Sequence, residues 1–250
     1  MNASCIIIPC YNEEKRLPMQ EFIDYFAENT DVDFCFVNDG SSDSTGSMLE
    51  ALCRRRPSGL MYFNLPHNSG KAEAVRKGAL YCLAMNKYSR IGFWDADLAT
   101  PLSEIGYLSS FLDKNEKYAF AFGSRIKTLG VIIERKLLRH YFGRVFATFA
   151  SGVVQLPVYD TQCGAKILKA DVAKLVFSEA FSSKWLFDIE IFARIIETYG
   201  HNEAMSMMVE VPLRQWIDKG DSRITLSYLI KMPFELFSIY RKHRRNLRKL

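Results

Sequence analysis

No Cys-x-x-Cys pair occurs in this chain, although it holds six cysteines, Cys5, Cys10, Cys35, Cys53, Cys82 and Cys163. Most of them sit inside apolar runs, where Cys behaves as a small buried hydrophobe, so free thiols in a reducing cytosol are expected. Equally missing is any apolar stretch approaching the roughly 18 residues that cross a bilayer, and no basic region precedes the first apolar run, which ends at Pro9. The chain is therefore expected to be neither secreted nor transmembrane. Internal repeats and low-complexity linkers are absent, and 48% hydrophobic content with 24% charge excludes a disordered or fibrous chain. One α/β domain with appendages suits the 250 residues. RNA-binding and helix-turn-helix signatures are lacking too, which argues against a nucleic-acid partner despite a formal charge of +5.

What is present centres on Ile91-Gly92-Phe93-Trp94-Asp95-Ala96-Asp97, an apolar run that stops on two carboxylates spaced by one residue. In an extended strand such residues face the same way, and a hard cation such as Mg²⁺ or Mn²⁺ prefers paired oxygen ligands. Turn and helix-cap chemistry is the alternative use of both aspartates.

The surrounding pattern places the pair. Cys5–Pro9 is a continuous apolar run, as expected of a parallel strand buried on both faces, Val32–Asn38 reads as a second strand, and a short third strand is read at Leu60–Phe63. Helices are expected up to Glu28, through Leu49 and Leu52, and through Val75, Leu80 and Leu83. Three strand-helix units before Asp95 predict right-handed crossovers in an open sheet whose ligands bind beyond the carboxyl ends of the strands. The polar loops Tyr11–Glu13, Asp39–Ser42, Asn68–Lys71 and Asp95–Asp97 would then line one rim. Further on, a helix near Ser103–Leu112, a strand at Ala119–Gly123, a polar loop at Asp160–Lys166, a helix from Trp185 and a strand at Met205–Val211 are expected.

Two segments stay open. Between Gly130 and Val154, basic residues alternate with large apolar ones, which suits either a surface helix whose Arg stems cover a core or a segment that meets lipid. From Leu226, apolar residues at Leu226, Leu229, Ile230, Pro233, Phe237 and Tyr240 approximate a helical stripe ahead of a basic tail containing Arg241, Lys242, Arg244, Arg245, Arg248 and Lys249. Residues 226–250 are read as a basic amphipathic helix appended to a 1–225 domain. It either anchors the protein to an anionic membrane surface or packs on the domain with a basic end.

Taken together, Ile8-Pro9-Cys10-Tyr11-Asn12-Glu13, Val37-Asn38-Asp39-Gly40-Ser41-Ser42-Asp43, Asn68-Ser69-Gly70-Lys71, Asp95-Ala96-Asp97, Gly123-Ser124-Arg125, Asp160-Thr161-Gln162-Cys163-Gly164 and Trp185-x-Phe187-Asp188-x-Glu190 form an ordered set. In them the chain resembles the inverting family 2 glycosyltransferases of the GT-A fold, and among these the dolichyl-phosphate β-glucosyltransferase group. Two departures stand out: Ala165 follows Gly164 where an aromatic residue is frequent, and the late Gly-Ser-Lys of the family stands here as Asp221-Ser222-Arg223.

The resemblance implies a single Rossmann-like α/β domain with a mixed, mainly parallel sheet. It also implies transfer of a hexose from a nucleotide sugar, UDP-glucose before GDP-mannose, to a polyprenyl or dolichyl phosphate. Pro9, Tyr11, Glu13, Asp39, Lys71, Asp95 and Arg223 are expected to bind the donor. Asp95 and Asp97 are expected to hold Mg²⁺ or Mn²⁺, with Asp97, Asp160 and Asp188 taking part in catalysis. Arg125, Arg135 and Arg139 are candidates for the acceptor phosphate, since guanidinium pairs with phosphate oxygens in a bidentate fork. Transfer to a sugar hydroxyl is the enzymatic alternative, and it would require Asp160 or Asp188 as a general base. The expected location is cytoplasmic, peripheral on the cytoplasmic face of a membrane.

Overall fold

A computed structural model of the chain describes residues 3–55, 58–127, 129–134, 137–220 and 226–247, with side chains described for these except residues 137–145, 226–230 and 244–247. The first half alternates strand and helix: β1 (Ser4–Cys10), α1 (Met19–Glu28), β2 (Val32–Asp39), α2 (Thr45–Arg55), β3 (Leu60–Leu65), α3 (Lys71–Ala84), β4 (Arg90–Phe93) and α4 (Ser103–Lys114). The second half is less regular, with β5 (Phe120–Ser124), β6 (Ile132–Glu134), α5 (Leu137–Val154), β7 (Lys166–Lys169), α6 (Ala170–Phe177), α7 (Phe187–Tyr199), α8 (His201–Met207), β8 (Met208–Pro212), β9 (Gln215–Ile217) and α9 (Leu226–Leu247).

The main sheet runs β3-β2-β1-β4-β7-β5-β8, and every described pairing is parallel except those of β7, which is antiparallel to both β4 and β5. Strands β6 and β9 form a small parallel pair beside it. Successive side chains of a strand point to opposite faces. On β1, accordingly, Cys5 and Ile7 join one core with α3, α6 and α7, while Ile6 and Ile8 join a second with α1, α2 and α4. Burial on both faces is the physical reason that β1 reads as an unbroken apolar run from Cys5 to Pro9.

The strand order brings the carboxyl ends of β1, β2, β3, β4 and β5 to one rim. Because β7 runs the other way, with Lys166 opposite Phe93, its amino end and the preceding Asp160–Ala165 loop reach the same rim. Three expectations change. The strand read at Met205 begins at Met208, because α8 continues through Met207. Neither β7 nor α6 was expected, since the four-residue strand follows a loop directly and its Lys166 and Lys169 disguise it as polar. The stripe read on the last helix is also out of phase. Pro233 and Phe237 are exposed, and the buried side is Leu236, Ile239 and His243. The reason lies in α7, whose facing carboxylates Glu190 and Glu197 select the polar partners Lys242 and His243. Among the described residues no helix is long and apolar enough to cross a membrane.

Candidate active site

The acidic pair lies just beyond β4, which ends at Phe93, so it is a turn and not strand alternation that presents it. The Asp97 carboxylate accepts the Ala99 N–H at 3.0 Å, and the Leu98 N–H donates to the Asp95 carbonyl at 3.2 Å. Leu98 takes a φ of 50° there. Both aspartates nonetheless belong to one electrostatic cluster. Burial raises the pKa of Asp97 above the usual carboxylate range, and the neighbouring Asp95 charge raises it further. At Asp95 burial acts in the same direction but is outweighed by the Lys71 ammonium, so its pKa is lowered. Two carboxylates that repel one another are a donor set suited to a hard divalent cation. No group of three or more His, Cys, Asp or Glu positioned to hold a metal occurs among the described residues, so Asp95 and Asp97 would need water and ligand oxygens to complete a coordination sphere.

Asp95, Asp97, Asp160 and Asp188 each face a cation. Lys71 Nζ donates to Asp95 Oδ1 at 2.5 Å, the Arg125 guanidinium pairs with Asp160 at 2.6 and 2.8 Å, and Lys166 Nζ lies 2.7 Å from Asp188 Oδ1. Arg16 Nη2 stands 3.8 Å from Asp97 Oδ2, the longest of the four approaches. Lys166 is fully buried, also donates to the Cys163 carbonyl, and sits over the Phe93 ring. Lys166 and Arg16 escape a reading by motif. The available signal for Lys166 was a lysine between the Cys163-Gly164 turn and the apolar pair Ile167-Leu168, where a buried ammonium requires a carboxylate partner.

The loops also support one another. Gly164 passes so close to Asp95 that a Cβ on it would lie 2.0 Å from Asp95 Oδ2, so no other residue fits without moving the carboxylate. Within the same loop, Thr161 Oγ1 and Gln162 Nε2 are buried with no hydrogen-bond partner among the described residues. Buried polar groups are ordinarily paired, so these two are free to meet a ligand.

On the other side of the rim, Asp39 accepts the N–H groups of Ser69 and Gly70 at 2.7 and 2.8 Å, tying the end of β2 to the start of α3. Burial still leaves its pKa raised, in spite of both hydrogen bonds. Glu13 is buried beside Arg16 at 3.7 Å, and its N–H donates to Thr45 Oγ1 at 2.7 Å. The Asn12 N–H donates to Ser41 Oγ, and the Asn12 side chain accepts the Ser42 N–H. Pro9 pairs with Val37 near the end of β1, and Tyr11 follows that strand directly. The structure thus brings Tyr11, Glu13, Asp39, Lys71, Asp95, Asp97, Arg125, Asp160 and Asp188 to the carboxyl rim or just beneath it. Arg135 and Arg223 lie outside the described residues, and so does the side chain of Arg139.

An open, mainly parallel sheet carrying an acidic pair after its fourth strand, with one reversed strand beside it, is the GT-A architecture. The chain belongs to glycosyl transferase family 2, whose residue pattern it matches over residues 5–177. It is 31% identical to a dolichyl-phosphate beta-glucosyltransferase of Trichomonas vaginalis over 96% of this chain and 74% of that one. The dolichyl-phosphate beta-glucosyltransferase of Homo sapiens is 30% identical over 90% of this chain and 75% of that one. Among solved structures, glucosyl-3-phosphoglycerate synthase from Mycobacterium tuberculosis with Mn²⁺, UDP-glucose and phosphoglyceric acid aligns at a TM-score of 0.68. That alignment has 17% identity and covers 97% of this chain and 79% of that one, a likeness of fold.

Proposed function

We propose that the protein transfers a hexose, glucose from UDP-glucose before other donors, to a polyprenyl phosphate with inversion at the anomeric carbon. The observation that carries this reading is the acidic pair set among Lys71, Arg125 and Lys166 at the carboxyl rim, with the Asp39 turn on one side and the Asp160–Gly164 loop on the other. The relatives named dolichyl-phosphate beta-glucosyltransferase support the choice of donor sugar and acceptor.

In this reading the nucleoside sits along Pro9, Tyr11, Glu13 and Asp39, where Asp39 keeps lone pairs for base or ribose donors. Asp95 and Asp97 would hold a Mg²⁺ or Mn²⁺ ion, which when bound would supply Lewis-acid stabilisation of the charge on the departing diphosphate. Lys71, at the amino end of α3, contributes a second positive charge together with the helix terminus. Arg125 offers its Nη1 side to the acceptor phosphate while Asp160 holds the Nε and Nη2 edge. A phosphate monoester, with its second pKa near about 6, is mostly dianionic at neutral pH and needs no general base. Its oxygen attacks the anomeric carbon opposite the diphosphate, the new carbon–oxygen bond forms as the old one breaks, and the nucleoside diphosphate leaves.

The lipid-phosphate reading is preferred to a sugar-hydroxyl acceptor because a hydroxyl requires a base. The two candidates, Asp160 and Asp188, have side chains only 9% and 5% exposed and are engaged by Arg125 and Lys166. A polyprenyl acceptor also places the enzyme at a membrane. Phe234 and Phe237 on α9 are 74% and 63% exposed, and the exposed Lys231 and Arg241 flank them on the same helix. That combination suits an anionic lipid surface.

The test is a turnover assay with UDP-glucose and Mn²⁺ or Mg²⁺, with and without polyprenyl phosphate. Product formation that requires the lipid phosphate is expected, as is its loss in Asp97→Asn by on the order of 10²–10³ in kcat/KM with the thermal midpoint unchanged. Near-normal turnover with all metal chelated would overturn the metal assignment.

A further inference from the structure

Glu190, the last residue of the Trp185–Glu190 motif, has no place in the chemistry above, yet it is one of the most heavily engaged side chains in the molecule. Its carboxylate is fully buried and accepts the Ser182 N–H at 2.7 Å, Lys242 Nζ at 2.8 Å and Arg194 Nη2 at 3.0 Å, with His243 Nε2 at 3.5 Å. Lys242 and His243 belong to α9, whereas Ser182 belongs to the segment that leads into α7. The next residue is held by α9 as well. Ser183 Oγ donates to Glu235 Oε2 at 2.5 Å while accepting the N–H of Leu186 at 2.8 Å and of Trp185 at 3.2 Å.

The opposite side of this short segment faces the nucleotide rim. The Lys184 carbonyl accepts the N–H of Ala72 at 3.2 Å, in the first turn of α3. Its side-chain carbons lie against Gly70, where an added Cβ would come within 3.0 Å of Lys184 Cδ. Gly70 takes a φ of 94°, and its N–H is one of the two that Asp39 binds. Between Gly70 and Ala72 stands Lys71, the partner of Asp95. The three residues Ser182, Ser183 and Lys184 are thus hydrogen-bonded to the C-terminal helix on one side and to the turn that carries Lys71 on the other.

We propose that Ser182–Lys184 is a strap through which the docked C-terminal helix sets the donor site, with Glu235 and Glu190 as positioning residues for the Gly70–Ala72 turn. The inference rests on the donor-site reading for its functional consequence, but its mechanical part stands independently. Releasing Ser183 from α9 loosens the Lys184 carbonyl, and the turn that presents Lys71 and binds Asp39 loses its outer support. Linkage makes the effect reciprocal, so a bound donor tightens the docking of α9.

The experiment compares wild type, Glu235→Ala and Glu235→Gln, the last keeping an acceptor for the Ser183 hydroxyl. Amide hydrogen exchange at residues 70–72 is read without ligand, and UDP-glucose affinity is read by calorimetry with Mn²⁺. Glu235→Ala is expected to speed exchange at Ala72 and to weaken donor binding about tenfold, the worth of one hydrogen bond to a charged group. In turnover the change appears in the donor KM and not in kcat, and Glu235→Gln restores both readouts. Unchanged exchange at Ala72 in the alanine variant overturns the strap whatever the ligand result. Faster exchange without weaker binding, in a wild type that binds UDP-glucose, overturns the positioning role. A wild type that binds no nucleotide sugar refutes the donor reading instead and, with it, the functional half of the inference. Should Glu235→Ala fail to fold, Ser183→Ala against Ser183→Thr makes the same comparison.

Discussion

Asp95 illustrates how much one side chain depends on its neighbours. Its carboxylate is partly open to solvent, yet Lys71 binds one oxygen and Gly164 leaves room for the other. The lysine keeps the carboxylate ionised, and the glycine keeps it in place. Gly164→Ala is therefore expected to fold but to push Asp95 off its present position, because a Cβ 2.0 Å from Oδ2 leaves the carboxylate no room where it stands. Mn²⁺ affinity measured by calorimetry should fall at least about tenfold, as when a metal ligand loses its support, while the circular dichroism spectrum stays that of wild type. Unaltered affinity would show that the Asp160–Gly164 loop does not back the acidic pair. Lys166 and Asp188 are the buried counterpart. Such a pair contributes little net stability when intact, but removing one partner strands the other charge.

At the scale of elements, α9 has two different faces. The inward face combines Leu236 and Ile239 in the core with Glu235, Lys242 and His243 on polar partners. Phe234 and Phe237 point outward with Lys231 and Arg241 nearby on the same helix. The two alternatives for this helix, packing and membrane contact, need not exclude one another, because different sides are available for them. Phe234→Ala with Phe237→Ala should weaken binding to vesicles containing phosphatidylserine by tenfold or more, an order-of-magnitude figure from burial of an aromatic side chain. Turnover of a short, soluble acceptor should be unaffected. Raising the salt should weaken vesicle binding by the wild type as well, through screening of the basic groups. Equal vesicle binding by the double variant and the wild type would remove α9 from the membrane proposal.

For the molecule as a whole, Glu190 links three elements and should leave a pH signature. Burial pushes its pKa up, but His243, Lys242, the Ser182 N–H and Arg194 together hold it far below the ordinary value of 4.5. A carboxylate depressed in the folded state stabilises the fold above its unfolded pKa, and that stability is lost as the pH falls through the folded value. The wild type should accordingly exceed Glu190→Gln in thermal midpoint most at pH 7, with the difference shrinking steadily below about pH 4.5. A difference that is constant or grows on acidification would mean that the carboxylate charge does not hold α7, α9 and the Ser182–Lys184 strap together.

Much of this was legible in the chain itself. A continuous apolar run marked β1 because parallel strands are buried on both faces, and the polar residues that follow each strand marked the rim. Asp95 and Asp97 could be named from local order alone, since they end an apolar run, whereas Asp39, Lys71 and Asp160 were named through the family resemblance of their loops. Tertiary structure alone decided how the charges are matched. Lys166 meets Asp188 only because β7 runs against its neighbours, Gly164 touches Asp95 only because that loop folds over the end of β4, and α9 presents its polar side only because Glu190 and Glu197 face it from α7. Periodicity records whether a residue is apolar. It carries no information about which distant charge will stand opposite, and in this protein that opposition sets both the acidic site and the seat of its last helix.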